Sequence, residues 1–131
     1  MSSVSEEQIV QLVDAFYAKV RRHDVLGPVF DKAIAPEAWP THLAKMYAFW
    51  SSVMLTTGRY KGNPLATHAL VGDLDESMFD PWLALFRETA DEIFPPDIAA
   101  LFRLKSERIA ESLKLGLFYL RPRNATETSR S

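Results

Sequence analysis

The side chains best suited to metal or proton chemistry in this sequence are its three histidines, at positions 23, 42 and 68. Side chains for several other chemistries are missing. The sequence has no cysteine, which excludes disulfides, thiolate nucleophiles and cysteine-ligated metal centres. It also has no His-Glu-x-x-His pair, no calcium-binding loop and no glycine-rich phosphate loop. Any site chemistry must therefore be argued from individual histidines.

Each histidine has a structural alternative to a functional role. His23 lies in a charged stretch, where we expect a solvated residue at a helix end. His42 lies on an aromatic helix face and could be a core histidine that is bonded to a backbone carbonyl. His68, between Leu65 and Leu70, could likewise be structural. Spacing alone does not decide between these roles and metal ligation.

Haem is the cofactor that a single histidine can serve, because the porphyrin supplies four of the ligands of the iron. One neutral imidazole beside a large apolar slot then completes the site. The sequence offers aromatic and apolar stripes that could line such a slot, and Trp39, Phe49, Trp50 and Trp82 are their largest members. The same stripes could equally be ordinary core.

The first element is a predicted helix that positions the earliest of these aromatic residues. Ser5 and Gln8 match a capping box, and apolar residues then recur at helical spacing to about His23. Gly27 and Pro28 interrupt this pattern, and we expect a short turn and an irregular connection there.

Three further long helices are predicted, at about 36–57, 77–94 and 96–120. A loop rich in glycine and proline separates the second from the third, and a short helix at 63–70 carries His68 within it. No alternating strand pattern and no internal repeat is present. The sequence therefore predicts an all-α fold.

Length and composition predict one small domain. The 131 residues suffice for a single core, which we place in residues 1–120, and the polar tail 121–131 is expected to be disordered. The net charge of -2 gives no reason to expect nucleic acid as a partner. No apolar run is long enough to span a membrane, and the acidic N-terminal residues are unlike a signal peptide. We therefore expect a cytoplasmic protein.

Six short motifs, taken in order, resemble the third group of truncated haemoglobins, and the similarity runs from about Val10 to Leu117. The motifs are Phe16-Tyr17, Leu26-Gly27-Pro28-Val29-Phe30, Trp39-Pro40-Thr41-His42, Phe49-Trp50, Gly62-Asn63-Pro64-Leu65-Ala66-Thr67-His68 and Pro81-Trp82-Leu83. The resemblance implies a shortened globin, in which a two-over-two helical sandwich surrounds haem b.

The resemblance also implies roles for individual residues. His68 matches the proximal ligand of the iron, and Tyr17, His42 and Trp82 match positions on the distal side, where ligands bind. Together with the apolar faces described above, the expected haem contacts are Phe30, Trp39, His42, Met46, Phe49, Trp50, Tyr60, Leu65, His68 and Ile109. Arg59, Lys61 and Lys45 are candidate partners for the haem propionates, with Tyr60 as a further donor.

The function implied by the resemblance is reversible binding of dioxygen or other diatomic ligands. A bound dioxygen carries partial negative charge, so the Tyr17 hydroxyl and the Trp82 indole N–H could stabilise it, while His42 could act as a gate. The alternative is redox catalysis at the same haem, either nitric oxide dioxygenation or peroxide chemistry, with electrons from an external reductase. A haem-free helical interaction module is a third possibility.

Overall fold

The computed structural model describes residues 4–60, 62 and 76–120, with side chains as far as Leu117. Within these ranges the chain forms five α-helices and no strand, so the predicted all-α class is confirmed, although only four of these helices were predicted. His68, Leu65, Lys61, the whole of the predicted short helix at 63–70 and the tail 121–131 lie outside the described residues.

Helix α1 spans Glu6–Arg22, and its capping box is confirmed. The Ser5 hydroxyl accepts a hydrogen bond from the Gln8 backbone N–H at 3.1 Å, and the Gln8 side-chain oxygen accepts one from the Ser5 N–H at 3.0 Å. Such a cap contributes about 1 kcal/mol to helix stability. The predicted apolar stripe of α1 is buried, with Phe16 and Tyr17 near its middle.

The segment after α1 is helical, so the turn and irregular connection predicted there are wrong. Helix α2 spans Leu26–Ala33 and has Gly27 and Pro28 in its first turn. Proline is tolerated there because the first turn needs no N–H at that position. His23 also differs from its predicted solvated state. It is half-buried, and its Nδ1 accepts from the backbone N–H groups of Val25 and Leu26 at 3.1 Å each.

The remaining long helices agree with the prediction to within a few residues. They are α3 (Trp39–Leu55), α4 (Phe79–Ile93) and α5 (Pro96–Lys114). Short 3₁₀ turns precede two of them (Pro36–Ala38 and Glu76–Met78), and a π-helical segment follows the last (Leu115–Leu120). Thr56 ends α3 in the left-handed conformation with φ 53°. No helix among these described elements is long and apolar enough to cross a membrane.

The helices pack as two pairs. Helix α1 lies against α3, α4 lies against α5, and α1 also contacts α4. The Lys19 ammonium on α1 bridges two carboxylates of α4, Glu88 at 2.8 Å and Glu92 at 2.9 Å. Beneath this bridge the two pairs share one aromatic core.

Phe86 on α4 is the centre of that core and is only 1% exposed. Its ring stacks on Trp50 at 4.9 Å between centroids and on Trp82 at 6.0 Å. It also meets the Phe16 ring edge-on at 5.3 Å and the Phe102 ring at 6.3 Å. One ring therefore joins all four long helices.

Gly27 allows α2 to lie directly against the end of α1. A Cβ at this position would be 2.6 Å from the Arg21 carbonyl oxygen, which is backbone and cannot rotate away. We expect Gly27→Ala to lower the free energy of unfolding by about 1–3 kcal/mol, as other overpacked sites do. Urea denaturation measures this change.

Gly58→Ala is the comparison for Gly27→Ala. Gly58 has φ +70° and open space where a Cβ would be, so its substitution adds backbone strain without a clash. We expect it to be destabilising by about 1–2 kcal/mol, the usual cost of the left-handed conformation for a residue that carries a Cβ. An unfolding free energy of Gly27→Ala equal to that of the wild type would contradict the close approach of α1 and α2.

Candidate functional site

Four aromatic side chains meet where α1, α2 and α3 converge, and we call them the Tyr17 cluster: Tyr17, Phe30, Trp39 and His42. The Tyr17 and His42 rings are 5.0 Å apart and perpendicular, at 88°. The Trp39 ring lies edge-on to both, 5.4 Å from His42 and 5.9 Å from Tyr17. Phe30 closes the cluster 6.0 Å from Tyr17.

The local sequence explains why these four side chains converge. Trp39 and His42 are three residues apart at the start of α3, so they share one face of the helix. Tyr17 belongs to the buried side of α1. The close approach at Gly27 seats α2 against α1 and so places Phe30 beside Tyr17.

The Tyr17 side chain places a hydroxyl group in an apolar environment. The residue is 8% exposed, and burial raises the pKa of its phenol well above the usual value because the phenolate would lose its hydration. The side chain therefore keeps its proton at any physiological pH. It can act as a hydrogen-bond donor without ionising.

Trp39 supplies a second buried donor. The residue is 4% exposed, and its indole Nε1 is buried with no hydrogen-bond partner among the described residues. Buried N–H groups usually have a partner, and an unmet one carries a desolvation penalty of roughly 1–3 kcal/mol. The Tyr17 cluster thus presents polar atoms within an aromatic wall, as ligand sites commonly do.

Trp82, the third residue expected on the distal side, reaches the cluster through Phe16. The Phe16 ring lies edge-on to Tyr17 at 4.9 Å and edge-on to Trp82 at 5.5 Å. Trp82 itself is half-buried on α4. Tyr17 and His42 are therefore in direct ring contact, whereas Phe16 separates Tyr17 from Trp82.

Comparison with known proteins identifies the family. The chain is 31% identical over 118 residues to a group 3 truncated haemoglobin of Campylobacter jejuni. The aligned region covers 88% of this chain and 93% of that protein. The crystal structure of the group III truncated haemoglobin from Campylobacter jejuni superposes with a TM-score of 0.84 and 30% identity, over 91% of this chain and 95% of that one. No family model matches.

The chain belongs to the group III truncated haemoglobins. The all-α, truncated-globin fold predicted from the motifs is confirmed by this similarity. The helices of this chain form the two layers of the sandwich, with α1 and α3 as one pair and α4 and α5 as the other.

The other residues predicted to contact the cofactor occupy two kinds of position in this truncated haemoglobin. Met46, Phe49 and Ile109 are half-buried and pack against the core, so each retains some exposed apolar surface. Trp50 lies within the core, stacked on Phe86. The predicted cofactor contacts of these four residues stay predictions.

The residues proposed to bind the haem propionates differ in their contacts and exposure. The Arg59 guanidinium donates to Glu6 at 2.8 Å, so it already has an anionic partner. Tyr60 is half-buried edge-on to Phe49 at 5.2 Å, and burial raises the pKa of its phenol. Lys45 is exposed on α3.

Two residues at the site were given no role in the sequence analysis. Phe16 was named only as part of the Phe16-Tyr17 motif, although it bridges Tyr17 and Trp82. Arg21 was not singled out, yet its guanidinium carbon lies 4.4 Å from the centre of the Trp39 ring. A helical spacing of four places Arg21 on the same face of α1 as Tyr17, and this signal was available.

Histidine, cysteine and carboxylate side chains do not gather into a group of three anywhere in the described ranges. A site for a bare metal ion held by several side chains therefore has no basis in that part of the chain. A cofactor that brings its own ligands needs only one imidazole from the protein.

Proposed function

We propose that this truncated haemoglobin is a haem b protein that reversibly binds dioxygen and other small diatomic ligands, with His68 as the protein ligand of the iron. The observation that carries the proposal is the ring contact between the buried Tyr17 phenol and the half-buried His42 imidazole in a chain of this family. The resemblance assigns both residues to the side of the haem where ligands bind.

The residues of the Tyr17 cluster fit a flat apolar cofactor with a polar ligand. Phe30, Met46 and Phe49 keep apolar surface beside the buried core. The donors are neutral, because Tyr17 remains protonated and the indoles of Trp39 and Trp82 cannot ionise. Neutral donors in an aromatic wall suit a ligand of partial negative charge without a fixed counter-charge.

Haem iron, when bound, would supply the coordination position for the ligand and the electron density that polarises it. The Tyr17 O–H would donate a hydrogen bond to that ligand, and the Trp82 indole would be a second donor. Phe16 and Phe30 would exclude water from these bonds, which strengthens them. His42, half-buried at the edge of the cluster, would open and close the route for ligands.

Titration of the purified protein with haem tests the proposal most directly. A Soret band that grows to one haem per chain, and a further spectral shift on adding carbon monoxide after reduction, are the expected results. A haem-free helical interaction module predicts no saturable band, and that outcome would overturn the proposal.

Tyr17→Phe is expected to speed the dissociation of dioxygen from the haem-loaded protein by about 10- to 100-fold. The change removes one hydrogen bond to a partly charged acceptor, which is worth about 1.5–3 kcal/mol, and 1.36 kcal/mol corresponds to tenfold. Because burial keeps the pKa of the Tyr17 phenol above the usual range, the wild-type rate should not vary with Tyr17 ionisation between pH 6 and 9. Stopped-flow displacement of dioxygen by carbon monoxide measures the rate.

Tyr47→Phe is the matched control for this substitution. Tyr47 lies on α3, and its hydroxyl is already engaged, because it donates to the Asp14 carboxylate at 2.5 Å. We expect its dioxygen dissociation rate to equal that of the wild type. Equal rates for Tyr17→Phe and the wild type would remove Tyr17 from the ligand site.

Redox catalysis at the same site is the second candidate function, and the protonated Tyr17 is compatible with it because a hydrogen-bond donor beside the iron can assist dioxygen activation as well as retention. In nitric oxide dioxygenation, one nitric oxide, one dioxygen and one electron yield one nitrate. The electron would come from an external reductase. Mixing the oxygenated protein with nitric oxide under a regenerating reductant distinguishes repeated nitrate formation from a single stoichiometric turnover.

A further inference from the structure

We propose that Arg21 and Trp39 form a clasp that holds His42 in place and thereby limits the rate at which ligands reach the site. The inference rests on the proposed haem function for its kinetic consequence. Its structural part, the clasp itself, concerns only residues of the chain and can be tested without haem.

The cation–π contact between Arg21 and Trp39 is the first element of the clasp. The guanidinium carbon of Arg21, in the last turn of α1, lies 4.4 Å from the centre of the indole ring. Trp39 is the first residue of α3. Arg21 thus covers the outer surface of a ring that is otherwise buried, and it joins the end of α1 to the start of α3.

Asp31 on α2 orients the guanidinium. Its carboxylate lies 3.6 Å from the Arg21 Nε, and both side chains are about half exposed. An exposed ion pair of this kind adds little stability. The effect of the ion pair is geometric: Asp31 on α2 and the Trp39 indole on α3 both contact the guanidinium and together fix its orientation.

Trp39 transmits the clasp to the site. Its indole lies edge-on to both His42 and Tyr17, at 5.4 Å and 5.9 Å between ring centres. His42 therefore contacts two rings that also contact each other, and Arg21 keeps one of them, the Trp39 indole, in position from outside. If the indole becomes mobile, the imidazole loses this ring contact and can leave the cluster more readily.

Arg21→Gln tests the clasp because it removes the cation and retains a polar side chain of moderate length. Arg21 is exposed, so the fold should tolerate the change. Arg22→Gln, at the next and equally exposed position of α1, is the matched control. Arg21→Lys should restore part of the wild-type behaviour, since an ammonium also binds an aromatic face.

Hydrogen exchange of the Trp39 indole N–H in the haem-free protein is the first measurement. The chain has three tryptophans, and Trp39→Phe identifies the Trp39 signal in an ¹⁵N spectrum. We expect about two- to fivefold faster exchange in Arg21→Gln, the ratio that corresponds to one exposed cation–π contact. Unchanged exchange would overturn the clasp.

Carbon monoxide association with the haem-loaded protein is the second measurement. Arg21→Gln should associate about two- to fivefold faster than the wild type and Arg22→Gln at the wild-type rate. In a His42→Ala background, Arg21→Gln should have no further effect. An equal acceleration in that background would show that Arg21 does not act through His42 and would overturn the gating role. A protein without a Soret band would contradict the proposed function, while indole exchange would still decide on the clasp.

Discussion

Phe86→Ala is expected to lower the free energy of unfolding by about 3–5 kcal/mol, the usual range for removing a buried phenylalanine. The loss should fall in the upper part of that range because the ring is 1% exposed and contacts four other aromatic rings. None of these large rings can fill the cavity without leaving its own contacts. Total stabilities of about 5–15 kcal/mol are typical, so the variant would be close to unfolding. Urea denaturation, followed by circular dichroism, measures the change.

Leu101→Ala provides the comparison for this core substitution. Leu101 is an apolar side chain on α5 that is 46% exposed, and its truncation should change the stability by no more than about 0.5 kcal/mol. The dependence of the unfolding free energy on urea should be the same for both variants if both unfold in one step. A loss below about 1 kcal/mol for Phe86→Ala would contradict the central position of this ring.

His68→Ala is expected to weaken haem binding by roughly 100-fold or more. Mutation of a residue that hydrogen-bonds to a metal ligand typically lowers metal affinity by about 10–100-fold, and removal of the ligand itself should lower it at least as much. The Soret band should be lost, or shifted if another ligand replaces the imidazole. Added imidazole should restore the band in part, since it can occupy the space that the side chain leaves. Spectrophotometric haem titration measures all three effects.

His23→Asn is the matched control for His68→Ala. In the wild type, His23 Nδ1 accepts hydrogen bonds from two backbone N–H groups at the start of α2, and the asparagine side chain retains an acceptor for them. Its haem affinity should equal that of the wild type. A wild-type Soret band and affinity in His68→Ala would exclude His68 as the ligand of the iron.

The long helices were predictable because their signals are local. Ser5 and Gln8 mark the start of α1, and the apolar spacing that follows specifies its buried face. Helix α2 was missed because Gly27 and Pro28 were interpreted as breakers. Both residues lie in the first turn of α2, where His23 supplies an acceptor for the backbone. This arrangement depends on where the chain turns after α1, which the local sequence does not indicate.

The site was less predictable, because helical spacing indicates which residues face inward and not what they face. Tyr17 and His42 are 25 positions apart, and only the family resemblance suggested that they meet, as the structure places them. Helix α3 has apolar residues around much of its circumference, so its pattern could not separate Trp50, which lies on Phe86, from Phe49 one position earlier. The contact between Arg21 and Trp39 depends on the angle between two helices, which no sequence spacing encodes.

Under the proposed function, Phe16 makes ligand preference and folding stability interdependent. Its ring borders Tyr17, and it also contacts Trp82 and Phe86, which stack on each other in the core. A substitution there that enlarges the ligand site also opens a cavity in the core, so selection for a new ligand would at the same time select against the folded state. Phe30 and Arg21 lie at the outer edge of the Tyr17 cluster, away from the ring of Phe86. Directed evolution toward other ligands should therefore proceed first through these two positions.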